Sequence, residues 1–421
     1  MSRAGGRRVV VTGLGAVTPV GNDVATTWRA LLDGRSGGAA ITKFDAERFA
    51  VRFACEVKGF DALAYMDRKE AKRADLYTQY AMAASVQAMR DAGFGDGTGP
   101  GTGYVPEETG VVIGSGIGGL KTMEEQNAAY LSHGPKRISP FFVPMFIADI
   151  AAGVVSMRFG AKGPNFATVS ACSTSAHAIG VGMRAIQYGE ADVMLCGGSE
   201  AAVTPMSIGG FASMGALSTR NDSPETASRP FDATRDGFVM GEGAGVVVLE
   251  ALDHALARGA RIYGELAGYA ATGDAYHLTG QPEAHEGLQR SMRRALRDAG
   301  LAPEDVDYVN AHGTSTPLND PNEARAIQAV FGDHADRLLV SSTKSCTGHM
   351  LGAAGVVELI ACAKAIGDGV VPPTINHATP DPEITIDVVP NAPRERRVRV
   401  ALSNSSGFGG HNATLALRSY E

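Results

Sequence analysis

Short runs of β-branched and other apolar residues recur along the chain at 9–12, 111–113, 166–169, 193–196, 246–249, 306–309, 338–341 and 398–402. Between several of them lie stretches whose apolar positions return at helical spacing: 75–92, 176–188, 286–299 and 355–366. Such alternation predicts an α/β architecture with mixed sheets. No Pro- or Ser-rich linker divides the chain, so its halves are expected to pack tightly together.

Two stretches read as one supersecondary unit used twice. The first runs strand, Ser170-Ala-Cys172, a glycine-containing helix, Gly189 and a strand; the second runs 338–342, Ser345-Cys346-Thr-Gly-His349, a Gly/Ala-rich helix, Gly367 and Val370-Val371. Small residues in both helices (Gly180 and Gly182; Gly352, Ala353, Ala354 and Gly355) lower helix propensity, which a helix tolerates when it is buried between sheets. The expected fold is duplicated and layered, with helices sandwiched in the middle.

Composition narrows the class. The 421 residues carry 38 Lys+Arg against 45 Asp+Glu, a net charge of −7, and 44% are hydrophobic, the profile of a globular protein with a large core and no general attraction to nucleic acid or anionic membrane. The five cysteines, Cys55, Cys172, Cys196, Cys346 and Cys362, form no CxxC pair and no Cys/His cluster at zinc spacing. The valine run at 9–11 is too short for a signal-peptide core, and no apolar stretch approaches a membrane span. These features predict a cytoplasmic chain with reduced thiols and no membrane partner.

Two glycine clusters invite a dinucleotide reading. Gly13-Leu-Gly15-Ala-Val-Thr18-Pro19 lacks a third glycine and reads as a structural turn; Gly114-Ser-Gly116-Ile-Gly118-Gly119 is followed by neither a second strand nor an acidic ribose ligand. Cys172 is the stronger candidate. It stands between a β-rich run and a helix whose Ile179, Met183 and Ile186 share one face, where the helix dipole favours a thiolate and backbone N–H groups can stabilise an oxyanion. Three segments could supply its partners: Asn310-Ala-His312-Gly-Thr314-Ser-Thr316-Pro317, Ser342-Thr-Lys344 through His349, and Asn404-Ser-Ser-Gly407-Phe408-Gly409-Gly410-His411.

Together with Ser139-Pro-Phe-Phe-Val-Pro144, Ala216-Leu-Ser-Thr-Arg-Asn-Asp222 and the run 236–245, these motifs make the chain resemble, from end to end, the β-ketoacyl-[acyl-carrier-protein] synthases of the thiolase superfamily, specifically the type II condensing enzymes of bacterial fatty-acid synthesis. The resemblance implies a thiolase-like duplicated αβαβα layered sandwich with buried central helices, divided at 1–255 and 256–421, and a homodimer. It implies that Cys172 accepts the acyl group, that His312 and His349 promote malonyl decarboxylation, that Lys344 tunes their charge network, and that Cys172 and Phe408 supply oxyanion-hole N–H groups, with Phe408 as gate. It further places Thr314 and Thr316 on the phosphopantetheine arm and Ile117 and Phe142 at the acyl pocket, with no cofactor or metal and with acyl-carrier protein as partner.

Since such carriers are acidic, a chain of charge −7 needs a local basic patch, and Arg68, Lys69, Lys72 and Arg73 form the densest one; as the opening of a helix it would put Arg68 with Lys72, and Lys69 with Arg73, on shared faces. A polyketide-type ketosynthase would share the same catalytic residues. A non-catalytic chain-length-factor-like subunit would lack the nucleophile, and a thiolase would carry a second cysteine in the closing motif, where this chain has Gly407-Phe-Gly-Gly410. The family's closing motif usually carries an aromatic where this chain has Ser406, which bears on loop rigidity and pocket shape.

Overall fold

The computed structural model describes residues 6–97 and 103–420. Ten strands form one sheet built from two halves that use the same order. From the centre outward the first half runs Val9–Val17, Gly243–Ala251, Val193–Glu200, Thr109–Gly114 and Asn165–Phe166; the second runs Gly264–Gly273, His411–Arg418, Val400–Gly407, Tyr308–Asn310 and Leu339–Ser341. In chain order within each half this is 1-5-4-2-3 both times. The halves join where Val10 pairs with Glu265 and Val11 with Gly264.

The period-2 alternation of the strands sorts their side chains into three apolar layers. Val193, Leu195, Val246 and Val248 face outward onto the helices Leu76–Asp91 and Ile150–Phe159. Their sequence neighbours Met194, Cys196, Val247 and Leu249 face inward onto the helices Thr174–Tyr188 and Ala354–Asp368, as do Tyr308, Leu339, Ala401 and Leu415 of the second half. Val309, Val340, Leu402 and Ala416 then face the outer helices Glu286–Ala299 and Asn319–Phe331. The result is the expected helix–sheet–helix–sheet–helix stack with two buried central helices. Their small residues serve contact: a Cβ on Gly180 would meet the Tyr269 ring at 2.3 Å, and one on Gly355 would meet Ala176 Cβ at 3.0 Å.

Several local expectations need correction. The segment 13–19 is a turn only at its end: strand Val9–Val17 runs through its glycines and the turn is Thr18–Gly21, while Gly13 and Gly15 are there because helix Leu76–Asp91 rides on them, with the Ala88 and Ala84 carbonyl oxygens at 2.2 and 1.9 Å from where a Cβ would stand. The second unit of the repeat also differs from the expected alignment. Its helix ends on Gly369 in the left-handed region, Val370–Val371 pairs with Arg394–Glu395 in a separate ribbon, and the strand matching Val193–Glu200 is Val400–Gly407. The structural counterpart of Cys172 is therefore Gly352 rather than Cys346: Ala171–Ser173 and Leu351–Ala353 are 3₁₀ turns that open on a left-handed residue (φ 50° and 47°) and feed the two central helices.

Candidate functional site

Cys172 occupies the middle of its turn and is buried. The turn is fixed from both sides: the Ser170 N–H donates to Thr174 Oγ1 and the Ser173 hydroxyl to the His411 carbonyl. The hairpin that joins Val400–Gly407 to His411–Arg418 presses against it, because Gly407 leaves room where a Cβ would lie 2.8 Å from the Ser170 carbonyl oxygen. That approach brings the Phe408 N–H, with the N–H of Cys172 itself, to the sulfur.

His312 and His349 arrive from the second half. Their rings meet edge to face with centroids 5.3 Å apart, and the His349 ring stands 5.3 Å from that of Phe238. His312 follows strand Tyr308–Asn310, and its loop is held by a buried carboxylate: Glu323 accepts the N–H groups of His312 and Gly313 at 2.8 and 2.7 Å. Asp320 accepts from Ser315 in the same way. Lys344 is fully buried and paired with Glu358. Thr314 and Thr316 have their hydroxyls 3.1 Å apart at the wall of the same cavity. That cavity, about 260 Å³, brings together Cys172, His312, His349, Thr314, Thr316 and Phe408.

Charge in the cavity follows from burial. Both histidines are driven well below the usual imidazole range, first by desolvation and then by the Lys344 cation, so each stays a neutral ring with one N–H to give. The helix start was expected to favour a thiolate at Cys172. Burial outweighs it: the thiol is pushed up to about 12, against the opposing pull of Lys344 and the two N–H groups. The resting sulfur is a thiol, and its proton must leave as the reaction proceeds.

The remaining expectations divide. Ile117 packs against the apolar cluster that contains Cys172 and Leu351, and its N–H donates to Glu200, but it is not among the residues lining this cavity. Phe142 lies on the short helix Phe142–Phe146 with its ring 5.7 Å from that of Phe146, and it is not among the residues lining this cavity. The basic patch opens a helix as expected, with Asp67 as its N-cap, but that helix spans only Arg68–Ala71: Lys72 caps it, and Arg73 lies beyond it with its guanidinium over the Phe141 ring at 4.3 Å. Arg68, Lys69, Lys72 and Arg73 are all exposed.

Sequence reasoning missed the buried acids. Glu200 accepts N–H groups from Gly116, Ile117 and Gly352 and the Ser115 hydroxyl, and burial raises it to about 7; Glu323 is likewise raised to about 7. The one signal available was a carboxylate at the end of an apolar run, as in 193–200. Among the described residues no group of three or more His, Cys, Asp or Glu side chains is placed to hold a metal ion, and no helix is long and apolar enough to cross a membrane.

Residues 6–255 match the family model "Beta-ketoacyl synthase, N-terminal domain", and residues 263–378 match "Beta-ketoacyl synthase, C-terminal domain". A curated 3-oxoacyl-[acyl-carrier-protein] synthase 2 from Synechocystis sp. is 54% identical over 415 residues, 99% of each chain, and one from Staphylococcus aureus is 51% identical over 417 residues, again 99% of each. Among solved structures, a type II polyketide ketosynthase complex with its acyl-carrier protein superposes with a TM-score of 0.91 at 36% identity, over 99% of this chain and 100% of that one. The ishigamide ketosynthase/chain length factor superposes equally well at 37% identity.

Proposed function

The chain belongs to the β-ketoacyl synthase family, and from that premise we propose that it elongates fatty acyl thioesters by decarboxylative condensation with malonyl-acyl-carrier protein, with Cys172 as nucleophile. The observation that carries this reading is the convergence of Cys172, two neutral histidines and the Phe408 N–H in one cavity.

In the first step Cys172 Sγ attacks the carbonyl of an acyl group delivered on phosphopantetheine; the carrier thiol leaves with the proton that Cys172 gives up. The two N–H groups at the sulfur, of Phe408 and Cys172, are placed to stabilise the oxyanion. In the second step the bond from the malonyl α-carbon to its carboxylate breaks, CO₂ departs, and the electron pair moves onto the thioester oxygen as an enolate. Neutral His312 and His349 can donate N–H bonds there, in a dry site where such bonds are strong. The enolate carbon then attacks the acyl carbonyl, and the Cys172 thiolate leaves and regains a proton. Thr314 and Thr316 hold the arm; the reading calls for no cofactor beyond it.

A fatty-acyl role is supported by 51–54% identity, over 99% of each chain, to relatives named 3-oxoacyl-[acyl-carrier-protein] synthase 2. Acyl-carrier protein as partner, the exposed Arg68, Lys69, Lys72 and Arg73 as its landing point, and a cytoplasmic location with five free buried cysteines belong to the same proposal. So does a homodimer, supported by the edge strand Asn165–Phe166: Phe166, Val169 just beyond it and Met157 on the adjoining helix are 44, 61 and 73% exposed. The test is intact-protein mass spectrometry after incubation with acyl-carrier proteins of graded chain length. An acyl increment mapped to the Cys172 peptide is expected; an increment on Cys346 or Cys196 overturns the assignment.

A further inference from the structure

The wall of the reaction cavity includes, with Ser406, a polar alcove of Asp274, Gln281, His285 and Asn319. Two hydrogen-bond relays end there, and a carboxylate sets the direction of each. In the first, Asn412 Nδ2 donates to Asp274 Oδ1 at 2.6 Å, which turns Asn412 Oδ1 toward His285 Nε2 at 3.0 Å and the Ser406 hydroxyl at 2.9 Å. His285 Nε2 must therefore carry the proton, and its Nδ1 is left as a lone-pair acceptor. In the second, Asn319 Nδ2 donates to Asp320 Oδ1 at 3.1 Å, so Asn319 Oδ1 accepts from Gln281 Nε2 at 2.8 Å and Gln281 Oε1 is left as an acceptor.

Both terminal acceptors, His285 Nδ1 and Gln281 Oε1, are buried and have no hydrogen-bond partner among the described residues. His285 is wholly buried, and burial lowers it to about 4, so it stays neutral and keeps that lone pair at working pH. It is held in the left-handed region (φ 48°), directly after Ala284 at φ 51°. Two successive non-glycine residues in that region cost energy that the surrounding contacts must offset. A buried acceptor left without a donor costs about 1–3 kcal/mol, which favours a substrate group that brings a donor to these atoms.

We propose that this alcove is a donor-reading subsite, in which His285 Nδ1 and Gln281 Oε1 accept hydrogen bonds from an N–H or O–H group of the carrier-linked substrate. Two sources offer that chemistry: the amide N–H groups of the phosphopantetheine arm, since Asn319 adjoins Thr316 through an N–H to Oγ1 bond of 3.2 Å, and a hydroxyl on the acyl chain, since Ser406 adjoins the Cys172 turn through Gly407. A carboxylate is disfavoured, because both free atoms are acceptors.

The inference rests on the reaction proposed above, so its test separates the two. Acylation of Cys172 is followed by intact mass against concentration for two substrate pairs: acyl-pantetheine and its N-methylated amide, and 3-hydroxyacyl-pantetheine and its 3-methoxy counterpart. The wild-type chain is expected to favour the donor-bearing member of one pair by about five- to tenfold in apparent KM. Gln281→Met, which keeps the shape and removes the acceptor, is expected to shrink that ratio towards one; His285→Leu provides the second variant. The pair that responds identifies the source. No discrimination by the wild-type chain in either pair, or ratios unchanged in both variants, overturns the subsite. Failure of the wild-type chain to be acylated at all overturns the proposed reaction instead.

Discussion

The turns Ala171–Ser173 and Leu351–Ala353 are the same backbone device in two places, each opening on a strained left-handed residue and each feeding a central helix of 15 residues. At the middle position one carries Cys172 and the other Gly352. The sulfur of the first looks into the cavity. The second has no room for a side chain: a Cβ on Gly352 would lie 2.5 Å from the Gly116 nitrogen and 2.8 Å from Glu200 Oε2, and its N–H is spent on Glu200 at 3.0 Å. Duplication supplied two candidate nucleophile positions; one kept the chemistry, and the other became the seat against which the first half's loop 115–118 is clamped.

Breaking the chemical side of this pair has the largest effect. Cys172→Ala is expected to abolish the acyl-enzyme in mass spectra and to lower condensation at least about 10³-fold, while Cys172→Gln leaves malonyl decarboxylation measurable as CO₂ release, since His312 and His349 remain. Breaking the structural side costs stability: Gly352→Ala is expected to lose about 1–3 kcal/mol in urea unfolding through overpacking, whereas Gly210→Ala, where a Cβ meets nothing within 4 Å, should cost far less.

The clamp also has a pH signature. Glu200 rises from an ordinary 4.5 to about 7 in the folded chain, so the folded state holds that proton more tightly than the unfolded one. Its contribution to stability is present in full below about pH 4.5 and is lost as pH climbs through 7; Glu200→Gln should flatten that part of the urea midpoint profile, Glu323 accounting for a similar share. On the loop that Glu200 holds, Ile117→Phe should slow acylation by long primers roughly tenfold more than by short ones, by filling the apolar cluster around Cys172. The smallest effect is outside the site. Lys69→Glu with Lys72→Glu should raise KM for acyl-carrier protein several-fold at low salt, less at high salt, and leave acyl-pantetheine turnover unchanged; Arg73 is a poorer probe because it sits on Phe141.

Chemistry was more legible in the sequence than architecture. Cys172, His312, Lys344, His349 and Phe408 stand in short motifs whose residue types limit what they can do, and the structure gathers four of them in one cavity, with Lys344 buried on Glu358 outside its lining. The strand Gly264–Gly273 went unseen because it is rich in Gly and Ala, and its Gly268 is explained by contact alone: a Cβ there would lie 2.4 Å from the Ala295 carbonyl oxygen. The repeat was misaligned because Cys346 resembles Cys172 in sequence, whereas the true counterpart is marked by φ at Leu351, which no residue type announces. Glu200, Glu323 and Glu358 stand in none of the motifs singled out, and it is the backbone N–H groups and the lysine holding them that give them a role.

The shared central layer has a consequence for synthesis on the ribosome. When residue 255 has been made, the inner face of the first half, with Gly180 waiting for the ring of Tyr269, has nothing to close on. Its partners are spread over strands that end only at Arg418, so at about 5–20 residues per second the nascent chain must keep an open apolar face for on the order of ten seconds. Chaperone demand should therefore concentrate in that interval, and a stop inserted just after it should yield a chain that is captured or degraded rather than a free half-sized protein.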